Sequence, residues 1–137
     1  MSPHIVKSKN EQIALLLQDL RKYEAISYQE FLAQGHYAVE RLLELLVITA
    51  SDALLHVLTM EGEEMPTTLR TTFLRAGELN IIPAPLAQRL AEAAGMRNLL
   101  VHAYSKVDLQ KVYDSIHPAL ADFGEFAEQL AKHMGLF

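Results

Sequence analysis

The 137-residue sequence contains no cysteine. This absence excludes disulfide bonds, zinc sites built on thiolates and cysteine nucleophiles. Basic residues are also outnumbered by acidic ones: the sequence has 12 Lys and Arg residues and 17 Asp and Glu residues, which gives a formal net charge of −5. Sequence-independent binding of nucleic acid usually depends on an excess of basic side chains. On total charge alone, nucleic acid is therefore a disfavoured partner.

Signals for export or membrane insertion are missing as well. Residues 1–7 lack the apolar core and the small-residue cleavage site of a secretory signal. The most apolar stretch, residues 42–58, is interrupted by Glu44, Asp52 and His56 and is too short and too charged for a transmembrane helix. We expect a cytoplasmic protein that has no membrane partner.

The pattern of apolar residues predicts an all-α protein. Half of the residues are apolar and 21% are charged, which is typical of a globular chain. Apolar residues recur at helical spacing almost throughout, whereas the alternating pattern of β-strands is nearly absent. We expect residues 1–137 to form a single domain, a bundle of four long helices and one short helix.

Capping residues, glycines and prolines set the predicted helix boundaries. A capping box at Ser8 and Glu11 starts the first helix, and a second box at Ser27 and Glu30 starts a short turn before Gly35. The remaining predicted elements are a helix over about 36–60, a short helix opened by Pro66 and ending near Ala76, a helix over about 84–104, and a last helix capped by Asp108 and kinked by Pro118.

Most catalytic and metal-binding motifs are absent. The sequence has no glycine-rich phosphate loop, G-x-S-x-G elbow, H-E-x-x-H motif or EF-hand loop. None of the six histidines has another histidine three or four residues away, and Glu40 and Glu44 lack the Glu-x-x-His partner of a di-iron bundle site. Neither a metal nor another cofactor is expected.

The fourth predicted helix carries polar residues in an otherwise apolar segment. Arg97 lies on the same stripe as Ala94 and Val101, where a guanidinium is costly unless it is paired or faces a cleft. Asn98 and His102 are one turn apart on the adjacent stripe. Each could singly be a hydrogen-bonded core group, with Arg97 bound to a carboxylate of a neighbouring helix such as Glu40 or Glu44. Together they predict a polar functional site.

The segment that contains these residues resembles a known signature. The sequence RNLLVHAY at residues 97–104 resembles the R-x4-H-x-Y signature of HEPN domains, in particular of the HepT-like toxin family. The resemblance extends to the flanking residues in order and spacing, and it covers nearly the whole chain. The flanking segments are 81–83, 86–87, Leu90, Gly95, 107–108 and 112–113, with 27–31 and 38–41 earlier in the chain.

The resemblance implies a fold, an activity and a partner. HepT-like proteins are all-α homodimers that act as ribonuclease toxins and are paired with an MntA-like minimal nucleotidyltransferase antitoxin. The implied reaction is metal-independent cleavage of RNA by its own 2′-hydroxyl. By resemblance, Arg97, Asn98 and His102 are the catalytic residues, and Tyr104 is the residue that the antitoxin modifies by AMP transfer. The alternative is a HEPN interaction module that binds the nucleotidyltransferase and has little nuclease activity.

The spacing of the motif constrains its geometry. Arg97 and His102 are five residues apart, which places them about 140° apart around a regular helix. Three arrangements can aim both at one phosphate: the arginine side chain curls around, the helix distorts, or two copies of the chain form a composite cleft. The third agrees with the homodimer that the resemblance implies.

The charge around the motif differs from the average of the chain. Residues 84–113 carry four basic and two acidic residues, whereas the rest of the chain carries eight and fifteen. Among the basic residues of this segment, Arg89 and Lys106 are predicted to bind the RNA substrate. The total charge therefore predicts modest, salt-sensitive binding and does not exclude RNA.

Overall fold

The computed structural model describes the backbone of residues 3–102 and 108–136 and the side chains of residues 3–96 and 108–136. Every regular element in this part of the chain is helical, and four of the helices are long, so the predicted all-α fold class is confirmed. The elements are α1 (Pro3–Arg21), a single turn α2 (Tyr28–Glu30), a π-helical turn (Phe31–Gly35), α3 (His36–Met60), α4 (Leu69–Glu78), α5 (Ala84–His102), α6 (Leu109–Asp114) and α7 (Ile116–Met134).

Helix α3 is the centre of the bundle. It packs against α1, α4, α5, α6 and α7. Leu46, Ala50, Leu54 and Val57 follow one another at helical spacing on its core face, and all four are fully buried. Burying a leucine side chain stabilises the fold by about 1.5–3 kcal/mol. The other helices are therefore arranged around the apolar stripe of α3.

The helical segment that includes α3 is longer than its apolar stretch. The continuous helical segment Tyr28–Met60 has 33 residues and is, by length and composition alone, long and apolar enough to cross a membrane. The argument that residues 42–58 are too short to span a bilayer therefore does not hold for the folded helix. However, 56% of the most apolar window is buried inside the bundle, as expected for the core helix of a globular fold.

Helix α1 begins earlier than the sequence predicts. It starts at Pro3, so Ser8 lies inside the helix and the predicted Ser8 capping box is wrong. Val6 is fully buried and extends the stripe of Ile13 and Leu17 backwards by two turns. Proline is tolerated in a first helical turn, where its missing N–H has no partner to lose. Burial of Val6 therefore outweighs the local capping signal.

The predicted cap at Ser27 is confirmed. The Ser27 Oγ accepts a hydrogen bond from the Glu30 backbone N at 3.1 Å. The turn does not end at Gly35 as predicted, because the π-helical turn joins it to α3 without a break. A Cβ on Gly35 would lie 3.0 Å from Ile26 Cδ1, so this glycine allows the preceding loop to pack closely.

The π-helical turn brings an aromatic cluster against α6. The Tyr113 ring of α6 lies 5.2 Å from the ring of Tyr28 and 5.2 Å from the ring of Phe31, between centroids. The Tyr113 hydroxyl donates a hydrogen bond to the Ile26 carbonyl oxygen at 2.7 Å. These contacts dock α6, the first helix after the motif, onto the entry to α3.

Helix α4 has a different cap from the predicted one. It begins at Leu69, and Thr68 and Thr71 form a reciprocal capping box. The Thr68 Oγ1 accepts from the Thr71 backbone N at 3.0 Å, and the Thr68 backbone N donates to the Thr71 Oγ1 at 3.2 Å. Pro66 therefore lies before the helix, since two threonines satisfy the N-terminal N–H groups at a later position.

An arginine connects α4 to the loop after α3. Arg75 donates from Nη1 to Glu78 Oε2 at 3.0 Å and from Nη2 to Glu63 Oε2 at 3.1 Å. The hydrogen bonds to Glu78 and Glu63 raise the pKa of the Arg75 guanidinium above its ordinary value. The two carboxylates thus favour the charged form of Arg75, which links Glu78 of α4 to Glu63 of the loop.

The predicted fifth helix is two helices. Asp108 caps α6 as predicted, and its Oδ1 accepts from the backbone N of Gln110 at 3.1 Å and of Lys111 at 3.3 Å. The helical conformation is then interrupted at Ser115, between α6 and α7. Pro118 has no N–H to donate to the Asp114 carbonyl oxygen, and its ring clashes with that carbonyl in a continuous helix. The predicted kink is thus a helix boundary three residues before the proline.

We expect Gly77→Ala to destabilise the protein, although alanine is the better helix former. A Cβ at position 77 would lie 2.5 Å from Ala87 Cβ, so α4 and α5 would have to move apart. Overpacking of this kind costs about 1–3 kcal/mol. Gly124→Ala is the matched control, because a Cβ there meets nothing within 4 Å and the change should stabilise α7 by up to about 1 kcal/mol. Urea denaturation followed by circular dichroism measures both; equal stability of the two variants would contradict this packing.

Candidate active site on helix α5

Helix α5 is anchored in the core by its first half. Leu86, Leu90 and Ala94 are spaced by four residues and are fully buried. The backbone remains α-helical through His102, so Arg97, Asn98 and His102 all lie on the second half of the same helix. These three residues are therefore carried by a helix whose N-terminal half is fixed by packing.

Only the backbone positions of the three predicted catalytic residues are described. Arg97 lies three residues after Ala94 and seven after Leu90, and Asn98 lies one turn before His102. The side chains of these three residues lie outside the described part of the chain, so their predicted roles stay predictions. Tyr104 and Lys106 lie outside the described residues entirely, and the same holds for their predicted modification and substrate contacts.

The unbroken helix bears on how the motif is assembled. Because α5 is α-helical from Ala84 to His102, Arg97 and His102 remain about 140° apart around its axis. The structure therefore does not adopt a distorted helix between these residues, which is one of the three arrangements that the spacing allows. Two arrangements remain: an arginine side chain that curls around the helix, or a cleft formed by two chains.

Arg89 already has two carboxylate partners. Its Nε lies 3.0 Å from Asp122 Oδ1 and its Nη2 lies 3.1 Å from Glu125 Oε2. Both carboxylates belong to α7, so this arginine connects α5 to α7. Its positive charge is more than balanced, which makes it a poor cation for an RNA phosphate. A contact of Arg89 with RNA would have to compete with these two ion pairs, and it stays a prediction.

The carboxylates considered as partners for Arg97 make other contacts. The Glu40 Oε2 lies 2.9 Å from His36 Nδ1, and both side chains are about four-fifths buried. The Glu44 Oε2 lies 3.3 Å from Arg41 Nη1. The His36 ring also lies 4.0 Å from the Tyr37 ring, between centroids. Glu40 is thus part of a local cluster at the start of α3.

An open surface groove begins directly before the motif. It has a volume of about 740 Å³, and its lining includes Gly95 and Met96, the two residues that precede Arg97. A smaller pocket of about 300 Å³ adjoins it between α5 and α7 and shares part of the lining. We call the larger feature the motif groove; its other lining residues are Arg70, Glu92, Lys111, Asp114, Ser115 and Pro118.

Sequence reasoning did not single out two basic residues of the motif groove. Arg70 comes from α4, 27 positions before Arg97, and no spacing rule connects the two. Lys111 was counted in the basic segment around the motif, but nothing in the sequence distinguished it from Arg89 or Lys106. Only the packing of α4 and α6 beside α5 brings Arg70 and Lys111 to one groove.

A search for metal sites covers the described residues only. Among them, no group of three or more His, Asp or Glu side chains is placed to hold a metal ion.

Comparisons with known proteins agree on one family. The tRNA nuclease HepT of Aphanizomenon flos-aquae is 29% identical over 136 residues, which is 98% of this chain and 92% of that protein. The mRNA nuclease HepT of Shewanella oneidensis is 29% identical over 73 residues, 53% of this chain and 55% of that protein.

A solved structure has the same fold. It is the tri-AMPylated HEPN toxin of Shewanella oneidensis in complex with an MNT antitoxin, which matches with a TM-score of 0.86 at 22% identity and covers 96% of this chain and 99% of that one. The family described as Ribonuclease HepT-like matches residues 13–130, most of the sequence. The chain therefore belongs to the HepT-like ribonuclease family.

Proposed function

We propose that residues 1–137 act as one HepT-like domain, the toxin of a toxin–antitoxin pair, and cleave RNA as a metal-independent endoribonuclease. The observation that carries this proposal is the complete R-x4-H-x-Y motif in the sequence, with Arg97 and His102 on an unbroken α5, in a chain of the HepT-like family. Both curated relatives described above are named as RNA nucleases, which supports the same activity for this chain.

The proposed reaction uses the substrate's own 2′-hydroxyl. The 2′-oxygen loses its proton and bonds to the adjacent phosphorus, while the bond from phosphorus to the 5′-oxygen breaks and that oxygen gains a proton. His102 moves a proton at one of these oxygens, because imidazole titrates near neutral pH. Arg97 binds the phosphate and stabilises the extra negative charge of the transition state. Asn98, one turn before His102, holds the imidazole or a phosphate oxygen in place.

The proposed active form is a homodimer in which two α5 helices contribute to one cleft. The unbroken helix between Arg97 and His102 supports this arrangement, since the two residues diverge by about 140° on one helix. We expect sedimentation velocity at micromolar concentration to give the mass of a dimer and cleavage activity to fall on dilution as the dimer dissociates. A monodisperse monomer with full activity would contradict the composite cleft.

The proposed partner is a nucleotidyltransferase antitoxin that transfers AMP to Tyr104. The structural relative of Shewanella oneidensis is tri-AMPylated and is bound to an MNT antitoxin, which supports the same kind of partner here. An AMP group on Tyr104, two residues after His102, would add a negatively charged phosphate and a bulky nucleoside close to the motif. Both effects oppose the binding of an RNA phosphate at Arg97.

The test of the proposed activity is cleavage of total cellular RNA by the purified chain in excess EDTA. We expect new RNA fragments that carry a 2′,3′-cyclic phosphate and a free 5′-hydroxyl, which end-specific ligation and labelling identify. Products with a 3′-hydroxyl, or cleavage that stops when divalent ions are chelated, would contradict the mechanism. A chain that binds the nucleotidyltransferase but cleaves no RNA under any of these conditions would be an interaction module instead.

A further inference from the structure

The motif groove brings together two basic side chains from different helices. Arg70 of α4 and Lys111 of α6 both line it. Within residues 3–96 and 108–136, neither of these side chains forms an ion pair or a hydrogen bond, in contrast to Arg75 and Arg89. Two cations from two different helices therefore face one open groove without a carboxylate partner in the described part of the chain.

Part of the lining of the motif groove is apolar and held in place. This part consists of Met96 and Pro118. The Ser115 hydroxyl lies 3.1 Å from Met96 Sδ and donates to the Lys111 carbonyl oxygen at 2.6 Å, so the junction of α6 and α7 is fixed against α5. The groove is open beside Gly95, where an added Cβ would meet nothing within 4 Å. A flat ring can therefore pack on Met96 and Pro118 while a phosphate reaches the two cations.

The position of the motif groove relates it to the proposed reaction. Met96 and His102 are six residues apart on α5, which corresponds to about 9 Å along the helix axis. The groove volume of about 740 Å³ lies within the range of about 300–1,000 Å³ that small-molecule sites occupy. A nucleotide bound here would be next to, and not at, the bond that the motif cleaves.

We propose that the motif groove is a nucleotide subsite that binds the RNA strand beside the cleaved bond. Arg70 and Lys111 bind a phosphate of the strand, and the adjacent base packs on Met96 and Pro118. Basic side chains that contact phosphates position a nucleic acid without reading its sequence. This subsite rests on the proposed ribonuclease function, and it assigns a substrate contact to Arg70 and Lys111.

Two carboxylates in the groove limit its affinity and provide a test. Glu92 and Asp114 also line it, so the four charges of the lining sum to zero. Asp114 Oδ1 accepts a hydrogen bond from Gln110 Nε2 at 2.8 Å, whereas Glu92 is exposed and faces the same groove. Removing the Glu92 charge should therefore strengthen RNA binding, an effect that damage to the fold does not produce.

The experiment measures binding of a fluorescein-labelled, 15-nucleotide single-stranded RNA of mixed sequence by anisotropy. All variants carry His102→Ala, so that the probe is not cleaved. We expect Arg70→Glu and Lys111→Glu each to raise Kd about tenfold and to lower the slope of log K against log salt by about one. We expect Glu92→Gln to lower Kd about threefold.

The matched control is Lys132→Glu, an exposed charge reversal near the end of α7. It lies 14 residues after Pro118, about 21 Å along the helix, and should leave Kd unchanged. Unchanged binding by the Arg70 and Lys111 variants overturns the subsite, as does a lack of measurable RNA binding by the parent at low salt. If these variants bind RNA normally but no longer bind the nucleotidyltransferase, the groove is a protein-docking surface and the subsite is also overturned.

Cleavage by the same variants with His102 intact separates this proposal from the proposed function. If the unmodified chain cleaves RNA and the Arg70 and Lys111 variants cleave it equally well, the function stands and the subsite fails. If the groove variants lose binding as expected but the unmodified chain cleaves no RNA, the subsite stands and the function fails.

Discussion

Replacing His102 with alanine is expected to lower the rate of RNA cleavage by about 10²–10⁴-fold, the usual contribution of a general acid or base. An imidazole exchanges protons near neutral pH, and a methyl group cannot. RNA binding should change little, since the phosphate contacts come from arginine and lysine side chains. The loss should therefore be in the cleavage rate of bound RNA, measured under single-turnover conditions with end-labelled RNA.

Two controls make the His102 result specific. His117→Ala removes an exposed histidine of α7 and should leave the rate unchanged. Added imidazole should restore part of the activity of His102→Ala, because it can replace the missing proton-transfer group but cannot repair a damaged fold. A variant that retains more than about a tenth of the activity would exclude His102 as the general acid or base. Expression of the same variants in cells should show the same order of toxicity.

Replacing Tyr104 with phenylalanine is expected to abolish neutralisation while cleavage persists. The phenolic oxygen is the nucleophile that would accept AMP, and phenylalanine has the same ring without it. After incubation with the cognate nucleotidyltransferase and ATP, the wild-type chain should gain mass in whole AMP units, and the Tyr104→Phe variant should gain none. RNA cleavage by the wild-type chain should then stop, whereas RNA cleavage by the variant should continue.

Tyr37 provides the control for Tyr104. It is the most exposed large hydrophobic residue in the described part of the chain, with 78% of its surface accessible. If AMP transfer depended only on exposure, Tyr37→Phe would reduce the modification. We expect the Tyr37→Phe variant to receive AMP and to be neutralised to the same extent as the wild-type chain. AMP on the Tyr104→Phe variant, or neutralisation of that variant through AMP transfer, would show that the acceptor lies elsewhere.

Local sequence signals predicted some helix boundaries and missed others for identifiable reasons. The end of α3 at Met60 agrees with the prediction, because the acidic segment 61–64 follows it, whereas the chain before His36 stays helical through the π-helical turn. The start of α1 was missed because burial of Val6, which depends on tertiary packing, prevails over the cap at Ser8. The interruption of the helix at Ser115 follows from Pro118. Its exact position depends on which carbonyl oxygen lacks an N–H donor because of the proline, here that of Asp114.

The motif was accessible from the sequence, whereas its surroundings were not. Arg97, Asn98 and His102 stand out because polar residues interrupt an apolar helix at fixed spacing. By contrast, the partners of Arg89 lie 33 and 36 residues later in the chain. The contribution of Arg70 to the motif groove likewise depends on how α4 packs beside α5. Residues brought together across such separations carry no local pattern.

The π-helical turn at Phe31–Gly35 has a consequence for insertions and deletions. A π-helical turn holds one residue more than an α-helical turn, so deleting one residue here would convert the segment into regular α-helix. Because the turn absorbs its extra residue, the residues before it would keep nearly the same orientation relative to α3, and Tyr28 would stay beside the Tyr113 ring, which lies 5.2 Å away between centroids. A deletion of one residue inside α3 would instead rotate every residue before it by about 100° and would separate Tyr28 from Tyr113 of α6. We therefore expect the loss of one residue to be tolerated better in this turn than within α3.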